Sequence, residues 1–171
     1  SNVCIGTGNT NIPYVVFLDA TQTNKVVVMK LDTVSNQWVT VGQPVSPVKS
    51  RTPNIVLDKN NVPFVAYADS TSRVTVKKFN GTSWVGVGNA GFDSVSTATY
   101  PSKVQLAVDN AGRPYIVNYH LDVVKYNGTT WAALGVNDLA TISGFGDVSL
   151  AVDRATNTPY VATDGGPTYN N

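Results

Sequence analysis

The sequence predicts an all-β chain assembled from one four-stranded antiparallel unit repeated along its length. Three observations carry that prediction. The 171 residues contain no Glu, so all eleven acidic residues are Asp, and one of the commonest exposed helix formers is missing. Val, Thr, Tyr, Asn and Gly are abundant instead, which favours strands and tight turns over a helical bundle, a Rossmann-type domain or a coiled coil. Finally, four short anchors recur in a fixed order.

The first anchor reads Ile55-Val56-Leu57-Asp58, Leu106-Ala107-Val108-Asp109 and Leu150-Ala151-Val152-Asp153, and the segment from Val3 to Gly8 aligns with it less closely. It predicts the first strand of each unit. A turn such as Asn110-Ala111-Gly112 leads to the second anchor, in which Pro13, Pro63, Pro114 and Pro159 each open an aromatic-rich strand. Proline is tolerated as the first residue of a strand because its missing N–H costs least there. The third strand spans 25–31, 74–79 and 123–126 and ends in the third anchor, Lys30-Leu31-Asp32, Lys78-Phe79-Asn80 or Lys125-Tyr126-Asn127. Asn80-Gly81 and Asn127-Gly128 are strong hairpin signals and lead into a fourth strand at Trp84 and Trp131. The corresponding turn of the first unit, residues 32–37, is two residues longer and lacks Asn-Gly before Trp38. Each Trp is followed four residues later by Gly42, Gly88 or Gly135.

Four antiparallel strands per ~40–50 residues is the period of a β-propeller blade. The expected fold is therefore a β-propeller segment of about three and a half blades, residues 3–42, 54–88, 104–135 and a partial fourth at 148–171, with Thr168-Tyr169-Asn170 as the start of a further third anchor. A leucine-rich repeat lacks the required pattern, and a β-sandwich leaves the ordered recurrence of four anchors unexplained. At these anchors the chain resembles the repeats of secreted β-propeller proteins of bacteria and algae. The resemblance implies an architecture, since propellers host many functions.

The net charge is +1, and Lys77-Lys78 is the one local pair of cations, so no basic stripe addresses nucleic acid. No apolar run is long enough to span a membrane, and no signal-peptide pattern opens the sequence. Cys4 cannot form an internal disulfide and lies in register with Asn54, Gln105 and Ser149, which makes it a candidate for an intermolecular disulfide. One histidine, His120, cannot build a His-rich metal centre.

The chemistry-bearing residues follow the repeat. Asp58, Asp109 and Asp153 close the first strand, while Asp19, Asp69 and Asp164 close the second, with His120 at the equivalent place in the third unit. Recurrence argues for Asx turns, because a catalytic pair should break the repeat. Asp58-Lys59-Asn60-Asn61 and Asp109-Asn110-Ala111-Gly112 faintly resemble calcium loops but lack the distal bidentate carboxylate. Asn80–Trp84 and Asn127–Trp131 look like half of a sialidase-type Asp-box, which in that family stabilises a turn. Trp38, Trp84 and Trp131, with Phe79 and Tyr126, form a repeating aromatic set suited to packing between blades or to stacking on sugars. Asn80 and Asn127 head N-glycosylation sequons on accessible turns.

The expected function is a non-catalytic, extracellular or cell-surface module for structural assembly or protein interaction, such as an adhesin or filament component. Its partners would be other copies of itself or the rest of a longer chain. The alternative is a glycan-binding lectin with sites between blades, and a glycoside-acting enzyme comes third. No catalytic residue, cofactor or metal ion is expected, and no nucleic acid or membrane insertion.

Overall fold

The computed structural model describes residues 3–94, 104–117, 123–134 and 148–163, and every sheet in it is antiparallel. The first unit is a meander of β1 (Cys4–Thr7), β2 (Pro13–Asp19), β3 (Lys25–Asp32) and β4 (Gln37–Thr40), with a short 3-10 turn, Ala20–Gln22, between β2 and β3. The second repeats the order with β5 (Ser50–Leu57), β6 (Pro63–Asp69), β7 (Arg73–Phe79) and β8 (Trp84–Gly86), and the two-residue β9 (Asp93–Ser94) joins it by pairing with the start of β7. The third is β10 (Gln105–Val108), β11 (Pro114–Val117), β12 (Val123–Tyr126) and β13 (Trp131–Ala133). Of the fourth, β14 (Val148–Asp153) and β15 (Thr158–Thr163) are described. Among the described residues no helix is long and apolar enough to cross a membrane.

The register bears out the alignment of anchors. Thr7, Leu57, Val108 and Val152 pair with Pro13, Pro63, Pro114 and Pro159. The same ladders place Cys4, Asn54, Gln105 and Ser149 at equivalent positions opposite Val16, Ala66, Val117 and Ala162. Two features lie outside the sequence expectation. β9 falls in what reads as a polar connection, and β5 begins earlier than the anchor, passing through a bulge between Arg51 and Asn54. Thr52 sits in that bulge at φ 45°, a strained setting for a β-branched residue.

Consecutive sheets face each other. Val16, Val26, Val28 and Val45 of the first unit meet Ile55, Val65 and Tyr67 of the second. Phe64, Ala66, Val74 and Val76 turn the other way, onto Leu106, Val108 and Ile116 of the third. Ala107, Tyr115 and Val117 then meet Leu150. The middle strand β6 is thus buried on both faces, from Pro63 to Ala68, and loses the in–out alternation of a half-buried strand. The first strands of successive units, β1, β5, β10 and β14, also touch in sequence order.

The repeated Trp and Gly form one device. Trp84 donates its indole N–H to the Val41 carbonyl at 2.8 Å, and Trp131 donates to the Val87 carbonyl at 2.9 Å. In each case the accepting residue belongs to the preceding unit and is followed by a glycine at positive φ, Gly42 at 69° and Gly88 at 71°. A Cβ on Gly42 would lie 2.8 Å from Phe79, and one on Gly88 would lie 2.6 Å from the Trp131 indole nitrogen. The Val-Gly that ends one unit is therefore a socket for the aromatic pair of the next.

Candidate functional site

The turns joining the first and second strands of each unit are Asx turns. Asp58 Oδ1 accepts from the N–H of Asn60 and Val62, and Asp109 Oδ1 accepts from Ala111 and Arg113, all at 2.8–2.9 Å. Asp153 Oδ1 accepts from the Ala155 N–H. At the other end of the sheets Asp19 and Asp69 cap the turns after the second strands. These carboxylates do the turn-stabilising work expected of them. Asp164 and His120 lie outside the described residues.

The second carboxylate oxygens separate two of the units. In the third, Asp109 Oδ2 accepts from the Arg113 Nε at 2.9 Å and the Tyr115 hydroxyl at 3.4 Å, with the Lys125 ammonium at 3.5 Å. Burial pushes the Asp109 carboxyl up, but the Arg113 and Ala111 N–H groups and the Arg113 charge outweigh it and hold the pKa below the usual carboxylate range. In the second unit the equivalent residues are Val62, Phe64 and Lys78. Val62 and Phe64 have no polar side-chain atom to offer. Among the described residues nothing donates to Asp58 Oδ2, although Asp58 is only 7% exposed.

The seams between units differ in the same place. Asn9 donates to the Lys59 carbonyl at 2.9 Å, and Asn110 donates to the Arg154 carbonyl at 2.7 Å, so the first seam and the third are latched at their turns. At the second seam the residue equivalent to Asn9 and Asn110 is Lys59, which is exposed and makes no such bond among the described residues. A cleft of about 570 Å³ opens there. Asp58, Asn60, Asn61, Val62, Phe64 and the segment from Lys78 to Gly81 line it from the second unit, Ala111 and Gly112 from the third, and Tyr14 from the first. Two departures from the repeat, Val62 and Phe64, line this opening.

No known family model and no curated protein sequence matches the chain. Solved structures do resemble it. A fucose lectin from Kordia zhangzhouensis in complex with methyl-fucoside matches at 11% identity and a TM-score of 0.46, over 79% of this chain and 99% of the lectin. An ulvan lyase from a new family of polysaccharide lyases matches at 13% identity and a TM-score of 0.50, over 88% of this chain and 44% of the lyase. The same lyase bound to -[GlcA(1-4)Rha3S]- matches with a TM-score of 0.51. At these identities the likeness to the lyase is one of fold.

The residues singled out in the sequence lie around this cleft and away from it. Trp84 and Trp131 are partly buried in their sockets, and Trp131 also stacks on Phe92 at 4.0 Å with an interplanar angle of 3°. A second cleft of about 400 Å³ lies beside that stack, between Asn89–Phe92 and Thr129–Trp131. Trp38 is 43% exposed. Asn80 and Asn127 are exposed, each taking two backbone N–H groups of its own turn, and Asn80 stands on the rim of the larger cleft. Cys4 is half-buried with a free thiol. In the sequence Asn60 and Asn61 stand out only as part of a calcium-like loop and Lys78 only as an anchor residue, although the mismatch of Val62 and Phe64 with Arg113 and Tyr115 is visible in the aligned units.

Proposed function

We propose that this chain is a non-catalytic, glycan-binding segment of an extracellular β-propeller, with its binding site in the cleft between the second and third units. The observation that carries the reading is the open Asp58 carboxylate in a cleft that also presents Tyr14, Phe79, Asn60, Asn61 and Asn80. Saccharides combine apolar C–H faces with dense hydroxyl groups, so aromatic surface beside amide and carboxylate acceptors matches them. The volume falls within the ~300–1,000 Å³ typical of small-ligand sites. The propeller architecture is supported by the sequential meanders, by the neighbouring first strands and by cores formed between facing sheets. A binding rather than cleaving role is supported by the lining, in which Asp58 is the only carboxylate among the described residues, whereas glycoside hydrolysis commonly uses two.

A glycan array tests the reading. The chain should bind a defined subset of saccharides, and Val62→Arg should abolish that binding while leaving the melting transition in place. Binding unaffected by Val62→Arg places the site elsewhere, and an empty array removes the reading.

A second reading, assembly with further repeat units, is favoured by Trp38. It has no Val-Gly socket before it among the described residues, and it is the exposed member of a series whose other two are packed.

A further inference from the structure

We propose that the cleft at the second seam takes an amino sugar, a glycan residue carrying an ammonium beside a hydroxyl, and that Asp58 is the residue that selects it. This rests on the glycan-binding reading and names its ligand class. The third unit supplies the template. There the equivalent carboxylate oxygen, Asp109 Oδ2, is met by a cation and a hydroxyl at once, the Arg113 guanidinium at 2.9 Å and the Tyr115 hydroxyl at 3.4 Å, with the Lys125 ammonium behind them. In the second unit Val62 and Phe64 stand where Arg113 and Tyr115 do, and no cation of the described residues forms an ion pair with Asp58.

Two cations stand close by, and neither forms an ion pair with Asp58. Arg154 donates to the Leu57 carbonyl at 3.1 Å, and the Lys78 side chain is exposed at the rim. Asp58 is thus more than nine-tenths removed from solvent, with one oxygen held by its own turn and the other facing the cleft without a donor. That oxygen is reached through the cleft, since the buried side-chain oxygens without a partner among the described residues are Thr52 Oγ1 and Asn157 Oδ1. An ammonium with a neighbouring hydroxyl restores both contacts that Asp109 already has. A charge-assisted hydrogen bond is also about twice as strong as a neutral one, so a neutral sugar gains less. Acidic and sulfated sugars bring like charge to the carboxylate. Tyr14, Val62 and Phe79 offer apolar surface for the C–H face of the ring.

Titration calorimetry on the whole chain tests the assignment, with three probes of equal length: a glucosamine oligomer, its N-acetylated counterpart, which has lost the charge, and a neutral glucan. The glucosamine oligomer should bind at least about ten-fold more tightly than either of the others. Asp58→Asn, which keeps the size and the turn acceptor of the side chain, should bring the three affinities within about two-fold of one another. Val62→Arg, which installs the cation the third unit possesses, should abolish binding of the charged oligomer. Equal or tighter binding of the acetylated or neutral oligomer to the unmodified chain overturns the amino-sugar assignment and leaves glycan binding standing. A preference that survives Asp58→Asn removes Asp58 as its source. Failure of all three oligomers overturns the assignment, and an empty array alongside it overturns the glycan reading as well.

Discussion

Gly88→Ala is the sharpest test of the socket between units. Gly88 sits at φ 71°, and a Cβ there would lie 2.6 Å and 2.8 Å from the Trp131 indole and 3.0 Å from Tyr126. The left-handed backbone alone costs an alanine about 1–2 kcal/mol. The methyl group cannot coexist with the indole as placed, so Trp131 must withdraw. That loosens its hydrogen bond to the Val87 carbonyl, worth about 1 kcal/mol, and strains packing by a further 1–2 kcal/mol or so. The sum is about 3–5 kcal/mol, which at a slope of roughly 2 kcal/mol/M lowers the urea midpoint by about 2 M. Gly81→Ala is the internal control. Its φ is 98°, with no atom within 4 Å of the added methyl, so it carries the backbone term without the clash. Urea unfolding followed by tryptophan fluorescence compares the two. If Gly88→Ala costs no more than Gly81→Ala, the glycine is a turn residue only and the socket argument fails.

Three other outcomes are expected. Trp84→Phe should cost about 1 kcal/mol through the lost indole hydrogen bond, whereas Trp84→Ala should cost about 3–5 kcal/mol, both read from urea midpoints. The Asp109 carboxyl is held below its ordinary value of 3.8, so its contribution is present above that pH and is lost as the pH falls through the lowered value; Asp109→Asn should flatten this acid arm of the stability curve while lowering stability at neutral pH. If Trp38 packs on another unit, light scattering at micromolar concentration should give a mass above 18.2 kDa that Trp38→Lys reduces, and an 18.2 kDa particle for the unmodified chain refutes the assembly reading.

The repeat was legible because each anchor does a local job that the chain spells out. Pro63 and Pro114 open strands, Asp58 and Asp109 hold turns, and Asn80 and Asn127 close hairpins. The role of Gly42 and Gly88 was not legible, because it depends on an indole more than 40 residues away. β9 was missed because a two-residue strand has no periodicity to read. The cleft was hidden for a different reason. Aligning the units draws attention to what they share, and this cleft is lined where Val62 and Phe64 fail to match Arg113 and Tyr115. The expectation that a catalytic pair should break the repeat looks only at the carboxylates, and those recur in every unit. The informative difference lay in the residues around one of them.

The socket also bears on how such a chain can lengthen. The first two junctions each join the Val-Gly of one unit to the aromatic pair of the next, and the tryptophans recur at intervals of 46–47 residues. A gene duplication of one whole period therefore leaves both sockets matched, wherever within the unit its breakpoints fall. A duplication of any other length puts an indole where no glycine waits. Copy number can drift under this arrangement while the phase of the repeat cannot, and a newly copied unit is free to exchange its Arg and Tyr for other residues without disturbing the neighbour that holds it.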